Sequence, residues 1–196
     1  MGSKKLTLLA VGDIVLNMLA PEKVFASVSP VLKSADVVIG QGEMPFTKRP
    51  AVTGVWSAVG HPDGKPRACD PDNIKGFADG GFNLLHLAGN HIWDAGIPGI
   101  EDTINELRHQ GIAFTGAGMN IDEARKPAII ERGGTRFGML SYNCVGPKET
   151  YANPLKPGCA WVHILACYEL DHPTVGCPPA VFTVHIYPLD IFISIV

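Results

Sequence analysis

The chain has 196 residues, of which 46% are hydrophobic and 18% charged, with a net charge of −3. That length supports one sizeable core, and the charged share lies below the ~25% usual for soluble domains. No basic patch marks a nucleic-acid surface and no stretch approaches the ~20 apolar residues of a membrane helix, so neither nucleic acid nor a transmembrane segment is expected.

Five cysteines (Cys69, Cys144, Cys159, Cys167 and Cys177) form no CxxC pair. This argues against a zinc ribbon or a disulfide framework and for reduced, structural thiols. The start MGSKKLTLLAVGD has a short apolar run that leads into a Gly-Asp turn rather than signal-peptide architecture. A cytoplasmic chain is therefore expected for the sequence as it stands, with a missing leader or membrane anchor left open.

In chain order, Lys5 to Val11 reads as a fully buried strand ending in Gly12-Asp13. Glu22 to Lys33 has helical spacing interrupted by Pro30. Ala35 to Ile39 is a second buried strand, and Thr47 to Arg67 reads as a long loop rich in Gly and Pro. Asp70-Pro71 opens a short helix, with Asp70 as N-cap and Pro71 in its first position. Phe82 to Ala88 is a third strand. Ile97 to Gln110 is a helix with Ile100, Ile104 and Leu107 on its apolar side and Gly111 as its stop. Ile112 to Thr115 is a fourth strand, and Asp122 to Arg125 a helical turn. Ala128 to Ile130 and Thr135 to Tyr142 form a hairpin over Gly133-Gly134. From Pro147 to Pro179 no periodicity is visible. The last segment, AVFTVHIYPLDIFISIV, is apolar and β-prone, and an unprotected strand of this kind invites self-association through a sheet edge.

Alternating strands and helices imply an α/β fold with a largely parallel sheet, and such sheets bind ligands at the carboxyl ends of their strands. The polar residues collect there: Asp13 after the first strand, Glu43 after the second, Asn90 and His91 after the third, and Ser141, Tyr142 and Asn143 after a later one. Two carboxylates, an amide oxygen and an imidazole suit one or two divalent ions such as Mn²⁺, Zn²⁺ or Mg²⁺. Such an ion lowers the pKa of bound water and clamps a phosphoryl or acyl oxygen. His91 is then placed to protonate a leaving group or bind developing charge. Each residue also has an ordinary role open to it. Asp13 can cap the following segment, Glu43 can be a solvated loop charge, Asn90 tolerates a left-handed turn, and a lone His is commonly structural. Their coincidence at three strand ends favours a shared site.

Weaker candidates are the Gly116-Ala117-Gly118 turn as a phosphate cradle, and His61 and Asp63 as the lining of a groove. His163, Asp171 and His172 lie in the irregular region with no supporting partners, and Ser141 lacks a G-x-S-x-G elbow.

Four segments resemble a known family: VGDIVL, GQGEMPFT, the block LAGNHIWDAGIPGIEDTINELRHQGIAFTGAGMNIDEARKP, and a strand reading FGMLSY. They resemble the capsule-synthesis CapA family, the poly-γ-glutamate synthesis proteins, whose fold is similar to calcineurin-like metallophosphoesterases. The resemblance spans roughly Leu6 to Gly146 and continues more loosely to about Pro179. It implies a metallophosphoesterase-like αββα sandwich, truncated to its N-terminal half. On that basis residues 1–146 are the N-terminal part of the domain and 147–196 an irregular, incomplete C-terminal portion. By matched position it implies metal binding by Asp13, Glu43 and Asn90, with Glu43 near the residue that bridges two metals, and phosphate contact by His91.

Two departures bear on the chemistry. The D-x-H motif of metallophosphoesterases reads here Asp13-Ile14-Val15, and the chain has no G-H-x-H. A ligand set with a single imidazole is expected to hold a divalent metal weakly. The resemblance implies a metal-dependent hydrolase of capsule biosynthesis, impaired by truncation, that acts on a polyanionic polymer or a phosphorylated small substrate. The alternative is a non-catalytic polymer-binding or assembly component of capsule machinery, for which the missing histidine and the long loop suit a binding groove.

Overall fold

A computed structural model describes residues 5–49 and 67–163 in full, and the strand pair 163–170 and 182–189 by its backbone. The greater part of the long loop, with His61 and Asp63, lies outside the described residues, as do Asp171 and His172.

Four parallel strands make the central sheet: β1 (Leu8–Ile14), β2 (Val37–Gly42), β3 (Leu84–His86) and β4 (Ala113–Thr115), in the spatial order β1-β2-β3-β4. The expected α/β class with a parallel sheet is what the chain adopts. Connections of one hand between successive parallel strands place their helices on one face. The core shows this: Leu32 of α1 (Ser29–Leu32), Phe77 of α2 (Lys75–Gly80), and Ile100, Ile104 and Leu107 of α3 (Gly96–His109) pack with Val38 and Leu85. Phe77 also meets Phe82 edge-on, with centroids 5.6 Å apart. On the opposite face, Val37 and Leu84 pack against a hairpin of β6 (Ala128–Arg132) and β7 (Thr135–Met139) through Ala128, Ile130, Phe137 and Met139. The result is three layers: helices, parallel sheet, hairpin.

Two sequence expectations change for local reasons. Pro30 does not interrupt a long helix. It sits in the first turn of α1, where a missing N–H costs nothing, and the preceding segment is a 3₁₀ turn, Pro21–Lys23. β1 is far from fully buried. Five of its seven residues are exposed, because it pairs only with β2 among the described residues and the hairpin packs over β2, β3 and β4. Other expectations hold. Asp70 accepts a hydrogen bond from the Asp72 N–H at 3.0 Å as the N-cap of Pro71–Ile74, and α3 buries Ile100, Ile104 and Leu107.

Residues after 146 pack back onto the first part of the chain. β5 (Ala117–Gly118) pairs with β8 (Gly158–Cys159), and Tyr151 stacks on Trp161 with ring centroids 5.2 Å apart. Pairings only two residues long leave no periodicity, which is why this stretch reads as irregular. The same stretch also holds a regular strand that the sequence does not announce: β9 (His163–Leu170) pairs antiparallel with β10 (Phe182–Leu189). Among the described residues no helix is long and apolar enough to cross a membrane.

Candidate metal centre

Parallel strands that end together bring their following loops to one edge. Asp13 lies in the last part of β1, and Glu43 follows β2 by one residue. The Glu43 N–H donates to the Ile14 carbonyl at 3.2 Å, which ties the two strand ends together. Asn90 and His91 lie in the turn after β3, which the Asp94 N–H closes by donating to the His91 carbonyl at 2.9 Å.

Within this turn His91 is held from two sides. Its Nδ1 lies 2.8 Å from Oδ2 of Asp94, whose side chain is 1% exposed, and its Nε2 lies 3.8 Å from Oε1 of Glu43. A buried carboxylate beside Nδ1 favours the tautomer with its proton there, leaving the Nε2 lone pair on the Glu43 side. Glu43 Oε2 also accepts a hydrogen bond from the Gln41 side chain. Gly89 lies close by: a Cβ there would stand 3.3 Å from Gln41 Nε2, a tight contact, and 3.5 Å from Glu43 Oε2, an ordinary one.

The electrostatics bring Asp13 into the group. Burial raises the Glu43 pKa above the usual carboxylate range, and the nearby negative charge of Asp13 raises it further, against the opposing pull of His91 and the Gln41 hydrogen bond. Burial lowers the pKa of His86, the last residue of β3, while the charge of Asp13 pulls it back up. Negative charge beside a carboxylate that burial already penalises forms a locus that a cation would relieve. By donor type the set fits a borderline divalent ion. Among the described residues, however, no three His, Cys, Asp or Glu side chains stand in coordinating positions as placed. A coordination sphere therefore requires side chains to be drawn in.

Beside this edge lies a cleft of about 730 Å³ lined by Gln41, Gly89 and Asn90 on one side and by Tyr142, Val145 and Pro147 on the other. Of the four sequence-derived site residues, Asn90 alone lines it. The wall is shaped by buried Asn143, whose Oδ1 accepts from the N–H groups of Val145 at 2.8 Å and Gly146 at 2.9 Å. Among the described residues none that lines it is Lys or Arg, and Glu149 adds a negative charge.

Sequence reasoning left Asp94 without a role and passed over Gln41 and His86. Asp94 was findable from its i+3 spacing to His91, and His86 from its place at a strand end. Gln41 has no signal apart from its register. The Gly116–Gly118 turn is structural. A Cβ on Gly116 would stand 2.7 Å from Ala88 N, and one on Gly118 2.4 Å from Ala124 N. His163 stacks edge-on with Trp161 at 4.7 Å. Cys69, Cys144 and Cys159 are free thiols, and burial pushes Cys69 up to about 11.

Fold and site together define an α/β protein whose polar residues gather at the carboxyl edge of a parallel sheet. The profile described as "Bacterial capsule synthesis protein PGA_cap" matches residues 7–161, and the chain belongs to that family. It is similar to "Capsule biosynthesis protein CapA" of Bacillus anthracis, with 28% identity over 165 residues, covering 80% of this chain and 39% of that protein. It is also similar to "PGA biosynthesis protein CapA" of Bacillus subtilis, with 26% identity over 138 residues, covering 70% of this chain and 35% of that one. A Mycobacterium tuberculosis relative, named a "Probable polyglutamine synthesis accessory protein", is 33% identical over 85 residues, covering 42% of this chain and 22% of its own length. The chain thus spans about two-fifths or less of the length of these relatives.

Proposed function

We propose that the strand-end site is a metal-dependent hydrolytic centre serving capsule polymer synthesis, with a phosphorylated or γ-glutamyl polymer-related substrate. In this reading Asp13, Glu43 and Asn90 hold a divalent ion such as Mn²⁺, Zn²⁺ or Mg²⁺. The ion supplies a water of lowered pKa and positive charge for the substrate oxygen. Asp94 orients the His91 ring, and His91 Nε2 faces the substrate beside Glu43, where it donates a proton only from the doubly protonated ring. Gln41 restrains the Glu43 carboxylate. The wall of Tyr142, Val145 and Pro147 seats the rest of the substrate.

One observation carries this reading. Among the described residues the cleft beside the site offers no basic side chain, while Glu43, Asp13 and Glu149 load its neighbourhood with negative charge. An anionic substrate is repelled by such a surface until a cation is present. Metal analysis after gentle purification, paired with hydrolysis of a generic phosphodiester, tests the reading. Stoichiometric Mn or Zn that is lost in Asp13→Asn, and turnover abolished by His91→Ala, are the expected results. Absence of metal dependence in both assays overturns it.

The cleft's apolar wall, with Val145 89% exposed, favours a second reading, a non-catalytic polymer-binding component. Polymer binding that survives His91→Ala, with no hydrolysis in the parent chain, favours that role.

A further inference from the structure

The two walls of the cleft come from segments far apart in the chain, and one side chain reaches both. Lys156 lies in a tight turn, where the Asn153 N–H donates to the Lys156 carbonyl at 3.1 Å and the Leu155 N–H donates to Asn153 Oδ1 at 2.8 Å. Pro154 and Pro157 flank the lysine and fix two backbone φ angles, so the turn presents it with little freedom. Its half-buried ammonium donates to the carbonyl oxygens of Glu149 at 2.5 Å and Tyr151 at 2.9 Å. The same nitrogen stands 4.1 Å from the centre of the Trp93 ring, which is buried. Glu149 lines the cleft. Trp93 belongs to the turn that carries Asn90 and His91, which is closed by the Asp94 N–H on the His91 carbonyl at 2.9 Å and the Gly96 N–H on the Trp93 carbonyl at 2.8 Å.

We propose that Lys156 is a positioning residue that ties the Glu149 wall of the cleft to the turn carrying Asn90 and His91. The proposal rests on the reading of this cleft as the ligand site and needs no bound ion. An ammonium has three N–H donors and no acceptor. Two carbonyls take two of them, and the charge faces an indole, the ring that attracts a cation most strongly. The ammonium is therefore committed to holding two segments together rather than to meeting a ligand. Burial lowers its pKa, while Cys159 and Glu149 pull it back up. The carbonyl and ring contacts are what a half-buried ammonium needs in place of water. Backbone bonds already join the segments elsewhere: the Asn143 N–H donates to the Ala160 carbonyl and the Ala160 N–H to the Gly116 carbonyl, each at 2.8 Å. Loss of Lys156 thus loosens the two walls without detaching the segment.

The test is amide hydrogen exchange, read by NMR, on the full 196-residue chain and on Lys156→Met and Lys156→Arg. Lys156→Met should exchange about tenfold faster at Thr150 and Tyr151 on one wall and at Asp94 and Gly96 on the other. That factor corresponds to ~1.4 kcal/mol, close to the loss of one hydrogen bond to a charged group. Amides inside α3, such as those of Ile104 and Leu107, should keep their rates, and Lys156→Arg should recover most of the protection. Faster exchange confined to Thr150 and Tyr151 overturns the proposal, because the turn with His91 is then not held by Lys156. An equal rise inside α3 overturns it too, since the lysine then serves general stability. Exchange in Lys156→Arg as fast as in Lys156→Met at all four amides also overturns it. Where Lys156→Met fails to fold, the parent chain decides. The methylene protons beside the Lys156 ammonium should carry an upfield ring-current shift that Trp93→Leu removes, and an ordinary lysine shift there overturns the proposal. Absence of phosphodiester turnover in the parent overturns the hydrolytic reading and leaves the tie standing.

Discussion

Asp94→Asn isolates the contribution of the charge beside His91, because the amide keeps the shape and one acceptor oxygen. The carboxylate side chain is 1% exposed and lies 2.8 Å from Nδ1. Hydrogen bonds to charged groups contribute ~1.5–3 kcal/mol against ~0.5–1.5 kcal/mol for neutral ones, so the expected loss is the difference, ~1–2 kcal/mol. For a domain of this size each kcal/mol moves the thermal midpoint by ~2–4 °C, which predicts a fall of ~2–8 °C. The amide can also donate to Nδ1, so the ring should lose its tautomer preference. Nitrogen-15 NMR of the histidines reads this directly: one tautomer at His91 in the parent chain, a mixture in the variant. An unchanged tautomer together with a midpoint shift below ~1 °C would refute the idea that Asp94 fixes the ring.

The raised pKa of Glu43 gives a signed pH prediction. Its native value lies above the unfolded one of ~4.3, so the stability that its protonation contributes is present below that pH and is lost as pH rises through the native value. Glu43→Gln should therefore be more stable than the parent at pH 7, with the gap closing toward pH 4. Urea midpoints at the two pH values check this, and Mn²⁺ should stabilise the parent more than the variant. Ile104, 1% exposed on α3, should cost ~2–5 kcal/mol on Ile104→Ala in urea unfolding, as a cavity in a close-packed core does. Gly118→Ala places a Cβ 2.4 Å from backbone at Ala124 and should destabilise by ~1–3 kcal/mol, whereas Gly138→Ala meets nothing within 4 Å and should change stability by less than ~0.5 kcal/mol.

Most of the sheet was legible because its signals are local. The N-cap at Asp70, the spacing of Ile100, Ile104 and Leu107, and the two-glycine turn of the hairpin each operate over a few residues. The strand-end location of Asp13, Glu43, Asn90 and His91 was legible for the same reason, since it needs only the strand boundaries. What escaped the sequence depends on register and cover. Gln41 and His86 gain meaning only from being opposite Asp13 and Thr115, which no periodicity encodes. The exposure of β1 escaped as well, because a continuous apolar run looks the same in a central strand and at the margin of a sheet.

That marginal position has a kinetic consequence. Asp13 rides on the strand with the least cover of the four, so peeling β1 away from β2 removes a carboxylate from its neighbours in the same motion. If the proposed metal centre forms, fraying of one backbone segment and loss of its cation become a single event. Amide deuterium uptake along Leu8–Ile14 should slow when Mn²⁺ is added and should stay fast in Asp13→Asn.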